Sequence, residues 1–248
     1  MKIFCSDLDN TLIYSYKHDI GKDKVLVECM GGKELSYMTT SAHNLLIDIA
    51  SDKMFVPITT RSLAQYSRID FGRDISIKYA LVSNGGILLE EGKINEEWLA
   101  ESRKIAKDAE EELEKGIQLL KNDPNVYFEV KKADDLFIFT KSNDSYKTIE
   151  QLKLSLNTEK VYIDKNGVKV YIFPKILDKG SSIQRLRNYI SGDYTFISAG
   201  DSKFDIPMIE KADIGICPKE LEEVNNVRIK KFSKLTFTED MLKYVKEC

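Results

Sequence analysis

The chain has 248 residues, 42% of them hydrophobic and 31% charged, with a formal net charge of −3. This is the composition of a soluble globular protein, large enough for one big domain or two modest ones, and its evenly mixed charge lacks the clustered basic excess that nucleic-acid binding asks for. No stretch approaches the roughly 20 apolar residues of a membrane span. Asp7 and Asp9 interrupt the N-terminus where a signal peptide would need an apolar run. Four cysteines (Cys5, Cys29, Cys217, Cys248) show no CxxC spacing and read as reduced packing residues of a cytoplasmic protein. His18 and His43 lack partners at zinc-ligand spacing.

In chain order, the first predicted strand, KIFCS, runs directly into DLDNTL at residues 7–12. Two Asp at this spacing point two carboxylates around one place, and their repulsion calls for a compensating positive charge. Next, KVLVECMGGKELSYMT at 24–39 reads as a β-hairpin about Gly31-Gly32, either an ornament or a lid beside the two aspartates. A helix follows in SAHNLLIDIAS, then a strand in MFVPI, where Pro57 removes a ladder donor near the strand's end. SLAQYSRI reads as a helix and YALVS as a strand.

The middle of the chain differs. Residues 95–120 read as one long amphipathic helix carrying Trp98, Ile105, Leu113 and Leu120. VYFEVK and LFIFTK read as strands, DSYKTIEQLKLSL as a helix, and KVYIDKNGVKVYIF as a hairpin turning at Asn166-Gly167. The remainder returns to strand–helix units: the helix SSIQRLRNYI, the strand YTFISA and the strand DIGIC. Short apolar strands alternating with helices predict an α/β core, a Rossmann-like parallel sheet with helices on both faces. The expected core is residues 1–86 and 175–248. Residues 87–174 are expected to form an inserted α+β domain with an antiparallel sheet, in an αββαββ pattern, bounded by Gly and Pro near SNGG and FPK.

Ligands of an open parallel sheet bind outside the carboxyl ends of its strands. There the strands deliver Asp7 and Asp9; Thr59, Thr60 and Arg61; Ser83, Asn84 and Gly85; and Gly200, Asp201 and Ser202, with Asp205 a turn later. LDKGSS places Lys179 at a helix N-terminus. Taken singly, each is explained by a cap, a turn or a surface lysine. Together, acids, a hydroxyl and a lysine converging on one rim are what phosphoryl transfer requires.

The order DLDNTL, TTR, LDKG, GDSKFD resembles the haloacid dehalogenase superfamily of aspartate-nucleophile phosphatases, and the insertion resembles the class IIB cap of Cof-type sugar phosphatases. The resemblance implies Asp7 as nucleophile and Asp9 as the acid and base. It implies phosphoryl binding by Thr59 and Lys179, with Thr60 beside them. It further implies Mg²⁺ held by Asp7, the backbone carbonyl of Asp9 and Asp201, with Asp205 in the outer shell. Arg61 and Asn84 are candidate pocket residues. Crowding by like charges is expected to raise the carboxyl pKa of Asp9, as a proton donor requires. Thr60, Phe204 and Asn10 depart from the usual Gly, Asn and Gly, without removing an acid or the lysine. The implied activity is Mg²⁺-dependent hydrolysis of a small phosphate ester, with a sugar phosphate expected. A phosphomutase, or a non-catalytic protein binding a ligand or partner, remains open on the same fold.

Overall fold

A computed structural model describes residues 1–224 and 228–248. The chain divides into two compact units, Met1–Ile94 with Lys179–Cys248, and Asn95–Asp178.

In the first unit the elements are β1 (Lys2–Ser6), β2 (Tyr14–Ser15), β3 (Lys24–Met30), β4 (Lys33–Thr39), α1 (Thr40–Asp52), β5 (Met54–Pro57), a one-turn α2 (Leu63–Tyr66), β6 (Tyr79–Val82), β7 (Ile87–Glu90) and β8 (Lys93–Ile94). The second unit holds α3 (Glu96–Asp108), α4 (Glu110–Asn122), β9 (Lys131–Ala133), β10 (Phe137–Lys141), α5 (Ser145–Ser155), β11 (Val161–Asn166) and β12 (Lys169–Pro174). The first unit resumes with α6 (Lys179–Tyr189), β13 (Thr195–Ala199), α7 (Ile206–Lys211), β14 (Ile214–Pro218), β15 (Ile229–Phe232) and α8 (Phe237–Glu247).

The core sheet is parallel, in the order β15-β14-β13-β1-β5. Its strands are apolar almost throughout because both faces are covered. On one face Phe4, Phe55, Ile197 and Ile216 bury against Leu46 and Ile49 of α1 and Met241 and Val245 of α8. Residues of opposite parity, Ile3, Cys5, Val56 and Phe196, are equally buried and by the pleat point the other way. There α6 packs with α7, and Arg187 lies 4.3 Å above the Phe196 ring. The five expected core strands are all present, but β6 turns into an antiparallel meander with β7 and β8 instead of ending the unit. That meander joins the core edge through the parallel bridge Ile58–Leu81. The first junction therefore lies at 94/95 rather than 86/87, and the second at 178/179 rather than 174/175. β15 was not expected: IKKF sets two adjacent lysines between apolar residues at a sheet edge and lacks the apolar run of its neighbours.

The second unit is an antiparallel sheet, β11-β12-β10-β9, with α4 and α5 on the face bearing Ile138, Val170 and Ile172. The expected single helix over 95–120 is two. Ala109 leaves helical geometry (φ −102°, ψ 3°) and its N–H reaches back to Ala106 and Lys107. Ala109 is itself buried, and α4 approaches the sheet so closely at Gly116 that a Cβ there would lie 2.6 Å from Ile172 Cδ1. Packing, not a Gly or Pro, sets the break. The expected strand VYFEVK is displaced as well: β9 begins only at Lys131, and Phe128 instead accepts the Thr140 hydroxyl through its carbonyl.

Candidate active site

The strand order reverses at β1, which continues to β5 on one side and has β13 on the other. A crevice opens outside the carboxyl ends of the strands at such a point. Asp7 follows β1 immediately and its N–H donates to Ala199 O at 2.9 Å, tying it to the end of β13. Gly200 comes next after β13, and a Cβ there would lie 2.3 Å from Asp205 Cβ, so only glycine lets the Asp201 loop fold over Asp205.

Lys179, the first residue of α6, is 1% exposed and donates to Asp7 Oδ1 at 2.5 Å and to Asp205 Oδ1 at 2.6 Å. The close start of α6 depends on Gly180, where a Cβ would meet Pro207 O at 2.5 Å. Burial works against the charge on Lys179, but the carboxylates of Asp205 and Asp7 outweigh it and push the ammonium pKa up. The remaining Asp205 oxygen, Oδ2, accepts from the N–H groups of Asp201 (3.1 Å) and Ser202 (2.9 Å) and from Ser202 Oγ (2.7 Å). Asp205 thus holds the loop and the lysine together, with both oxygens engaged.

Burial raises the Asp7 carboxyl well above its ordinary range; Asp205 adds to this, Lys179 opposes it, and Asp201 and Asp9 add less. Asp201 is pushed up to about 7 by burial and by Asp205, with Lys179 and the Thr11 hydroxyl opposing. Among the described residues, Asp7, Asp201 and Asp205 are the acids that could hold a metal ion, each offering a carboxylate oxygen within 4.8 Å of the others. Three hard oxygen donors, two of them driven toward protonation by burial and then by a neighbouring carboxylate, are what a divalent cation would relieve.

Asp9 lies outside that group. Its two oxygens accept from Arg61 Nε and Nη2, each at 2.8 Å. A guanidinium fork therefore faces Asp9, which also acts as a like charge on Asp7, while burial and neighbouring carboxylates raise Asp7 and Asp201. Arg61 comes from the loop after β5, where Thr59 is fully buried, its N–H on Leu81 O (2.9 Å) and its hydroxyl accepting from the Arg61 N–H (3.1 Å). Thr60 is half-buried in the same loop. Ser83 and Asn84 adopt positive φ in the turn after β6, and their N–H groups bond Arg61 O (2.7 Å) and Thr59 O (2.9 Å), so this turn braces the Thr59–Arg61 loop.

Two contributors escaped the sequence reading. Thr11, inside DLDNTL, reaches Asp7 Oδ2 at 3.4 Å and Asp201 Oδ1 at 3.3 Å. Its carbonyl in turn accepts the Thr238 hydroxyl at the start of α8 (2.7 Å). Glu28, in β3, is buried and bonded to Arg61 Nη1 at 2.9 Å. A carboxylate in the otherwise apolar run VLVEC was the available signal.

A family model for haloacid dehalogenase-like hydrolases matches residues 39–227. The chain belongs to that family. The matched span includes Thr59, Lys179, Asp201 and Asp205, and begins at Thr39, the last residue of β4, after Asp7 and Asp9. Several solved structures resemble the hydrolase along its length. A sucrose-phosphatase from Synechocystis sp. PCC6803 is 16% identical, covering 99% of this chain and 97% of its own, with a TM-score of 0.68. The C-terminal domain of a trehalose-6-phosphate phosphatase from C. albicans is 13% identical, covering 99% and 92%, at 0.62. A phosphatase of the haloalkanoate enzyme superfamily from Bacteroides thetaiotaomicron is 12% identical, covering 99% and 95%, at 0.58. At these identities the likeness speaks to the fold. No curated protein matches the hydrolase.

Proposed function

We propose that the protein is a phosphomonoesterase that uses Asp7 as its nucleophile, requires Mg²⁺, and acts on a small phosphorylated metabolite of the sugar phosphate class. The observation that carries this reading is the pairing of Asp7 with the buried ammonium of Lys179 beside Asp201 at the carboxyl end of the core sheet. Sugar phosphatases among proteins of the same fold support the substrate class.

In the proposed reaction an Asp7 oxygen attacks phosphorus and the bond to the ester oxygen breaks, leaving an aspartyl-phosphate. Lys179 favours the ionised form of Asp7 against the effect of burial and offsets charge on the phosphoryl oxygens. Thr59, in the loop after β5, binds those oxygens as well. Asp9, entering the step in its protonated form, passes that proton to the departing ester oxygen, so the product leaves as an alcohol and Asp9 is left ionised. A water then attacks the same phosphorus as Asp9 takes its proton, the bond to Asp7 breaks, and phosphate is released. Asp7 and Asp201 would hold Mg²⁺, with Asp205 fixing their loop. When bound, the ion would neutralise developing charge on the phosphoryl group.

The test is phosphate release from an aryl phosphate with and without Mg²⁺, for the wild type and Asp7→Asn. We expect metal-dependent turnover that falls about a thousandfold or more in the variant. Unchanged turnover in Asp7→Asn would remove the nucleophile assignment. Isomerisation of a hexose 1-phosphate without phosphate loss would replace hydrolysis by a phosphomutase activity.

A further inference from the structure

We propose that Glu28 of the β3–β4 hairpin is a positioning residue for the reaction: it fixes the Arg61 guanidinium, which in turn orients Asp9. The inference rests on the role given to Asp9 above.

In a regular strand, side chains alternate between faces, so neighbours cannot both be buried on one side. Val27 and Glu28 are both buried, and the register between β3 and β4 shifts on either side of Glu28. A bulge of this kind re-aims a side chain. At Glu28 the irregularity is matched by a bridge to Ile69 on the far side and by the Asp70 N–H bonding Val27 O at 2.9 Å. A carboxylate is thereby delivered into the loop that follows β5.

Each Glu28 oxygen has a defined partner there. Oε2 accepts the Ser36 hydroxyl at 2.6 Å, and Oε1 accepts from Arg61 Nη1 at 2.9 Å and from Arg68 Nε and Nη2 at 3.0 and 2.9 Å. The guanidinium is planar, so holding Nη1 fixes the direction in which its opposite edge faces. That edge, Nε with Nη2, is the one forked onto Asp9. Asp9, Arg61, Glu28 and Arg68 form a row of alternating charge, and Glu28 is its buried centre. Without Glu28 two neighbouring arginines would face each other, and among the described residues Arg61 would keep the more exposed Asp9 as its ion-pair partner. A buried ion pair can cost as much in desolvation as it returns, so stability alone does not account for a row built this way; orientation of Asp9 does.

A side chain that aims the proton donor matters most when the departing oxygen needs the proton. The experiment compares kcat/KM across aryl phosphates from 4-nitrophenyl, a good leaving group, to phenyl, a poor one. The variants are Glu28→Gln and Ser36→Ala, each checked for folding by circular dichroism. Because kcat/KM ends with departure of the alcohol, later steps do not enter it. For Glu28→Gln we expect a loss of about tenfold or more on phenyl phosphate against about twofold on 4-nitrophenyl phosphate. Ser36→Ala, which loosens Glu28 but keeps its charge, should shift the ratio the same way by less, and it carries the test if Glu28→Gln does not fold. Equal proportional losses on all esters would reduce Glu28 to a structural residue and overturn the proposal. No turnover by the wild type would instead remove the phosphatase reading, and this proposal with it.

Discussion

At Lys179 two buried carboxylates share one ammonium, while Asp201, directly after Gly200, has no ion pair among the described residues. The balance has a consequence for stability. Asp201, ordinarily at 3.8, is pushed up to about 7 in the folded protein, chiefly by burial and by Asp205. The folded state therefore binds a proton at Asp201 more tightly than the unfolded chain does. Its contribution is fully present below the unfolded value and is lost as pH rises through the folded one. With metal removed by EDTA, stability should fall between about pH 4 and pH 7 on this account. Saturating Mg²⁺ should flatten that slope, because a cation stabilises the ionised form. Urea midpoints measured across the range, with EDTA and with Mg²⁺, make the comparison. The same slope in both would mean that the acids do not hold the ion.

The β3–β4 hairpin raises its question at the level of the element. The sequence leaves it as ornament or lid, and the packing argues that it is part of the core: Val27 and Met38 are buried in the cluster that holds Phe4, Leu46 and Phe55. Met38→Ala should cost about 2–5 kcal/mol in chemical denaturation, as for a large-to-small change in any packed interior. A cost near zero would restore the detachable lid. The hairpin also shows what a sequence reveals. Its turn was legible because Gly31 and Gly32, both at positive φ, mark a two-residue connection. Its bulge was not, since nothing in VLVEC states that the ladder slips at Glu28. Likewise β1, β5, β13 and β14 were legible as apolar runs, as were the acids that follow β1 and β13 and the lysine that starts α6, whereas β15 was not. The fork between Arg61 and Asp9, the Thr11 hydroxyl between two carboxylates, and the break at Ala109 arise from packing between distant segments and leave no local mark.

The two units of the whole molecule differ in how their chains are closed. Asn95–Asp178 is continuous, and Leu113, Leu120, Ile138, Leu152 and Ile172 give it a core of its own. Its sheet also stacks rings internally, with Tyr171 and Phe173 centroids 5.4 Å apart and Phe137 and Phe173 4.7 Å apart. The other unit is divided by this segment. β1 pairs along its full length with β13, and Asp7 takes its N–H partner from Ala199, so residues 1–94 alone lack the strand that flanks β1 on one side. Burial on both faces and on both edges is what stabilises a central parallel strand. Segment 95–178 is longer than the about 55–65 residues at which domains fold unaided. It should therefore fold on its own, with a cooperative urea transition, while residues 1–94 should show none. Adding residues 179–248 in trans should restore a transition to the first fragment, because it returns β13 to β1 and Lys179 to Asp7. A cooperative transition in residues 1–94 by themselves would mean that the hairpin and β5 suffice to support β1. The site would then be assembled on a preformed half-sheet rather than formed together with it.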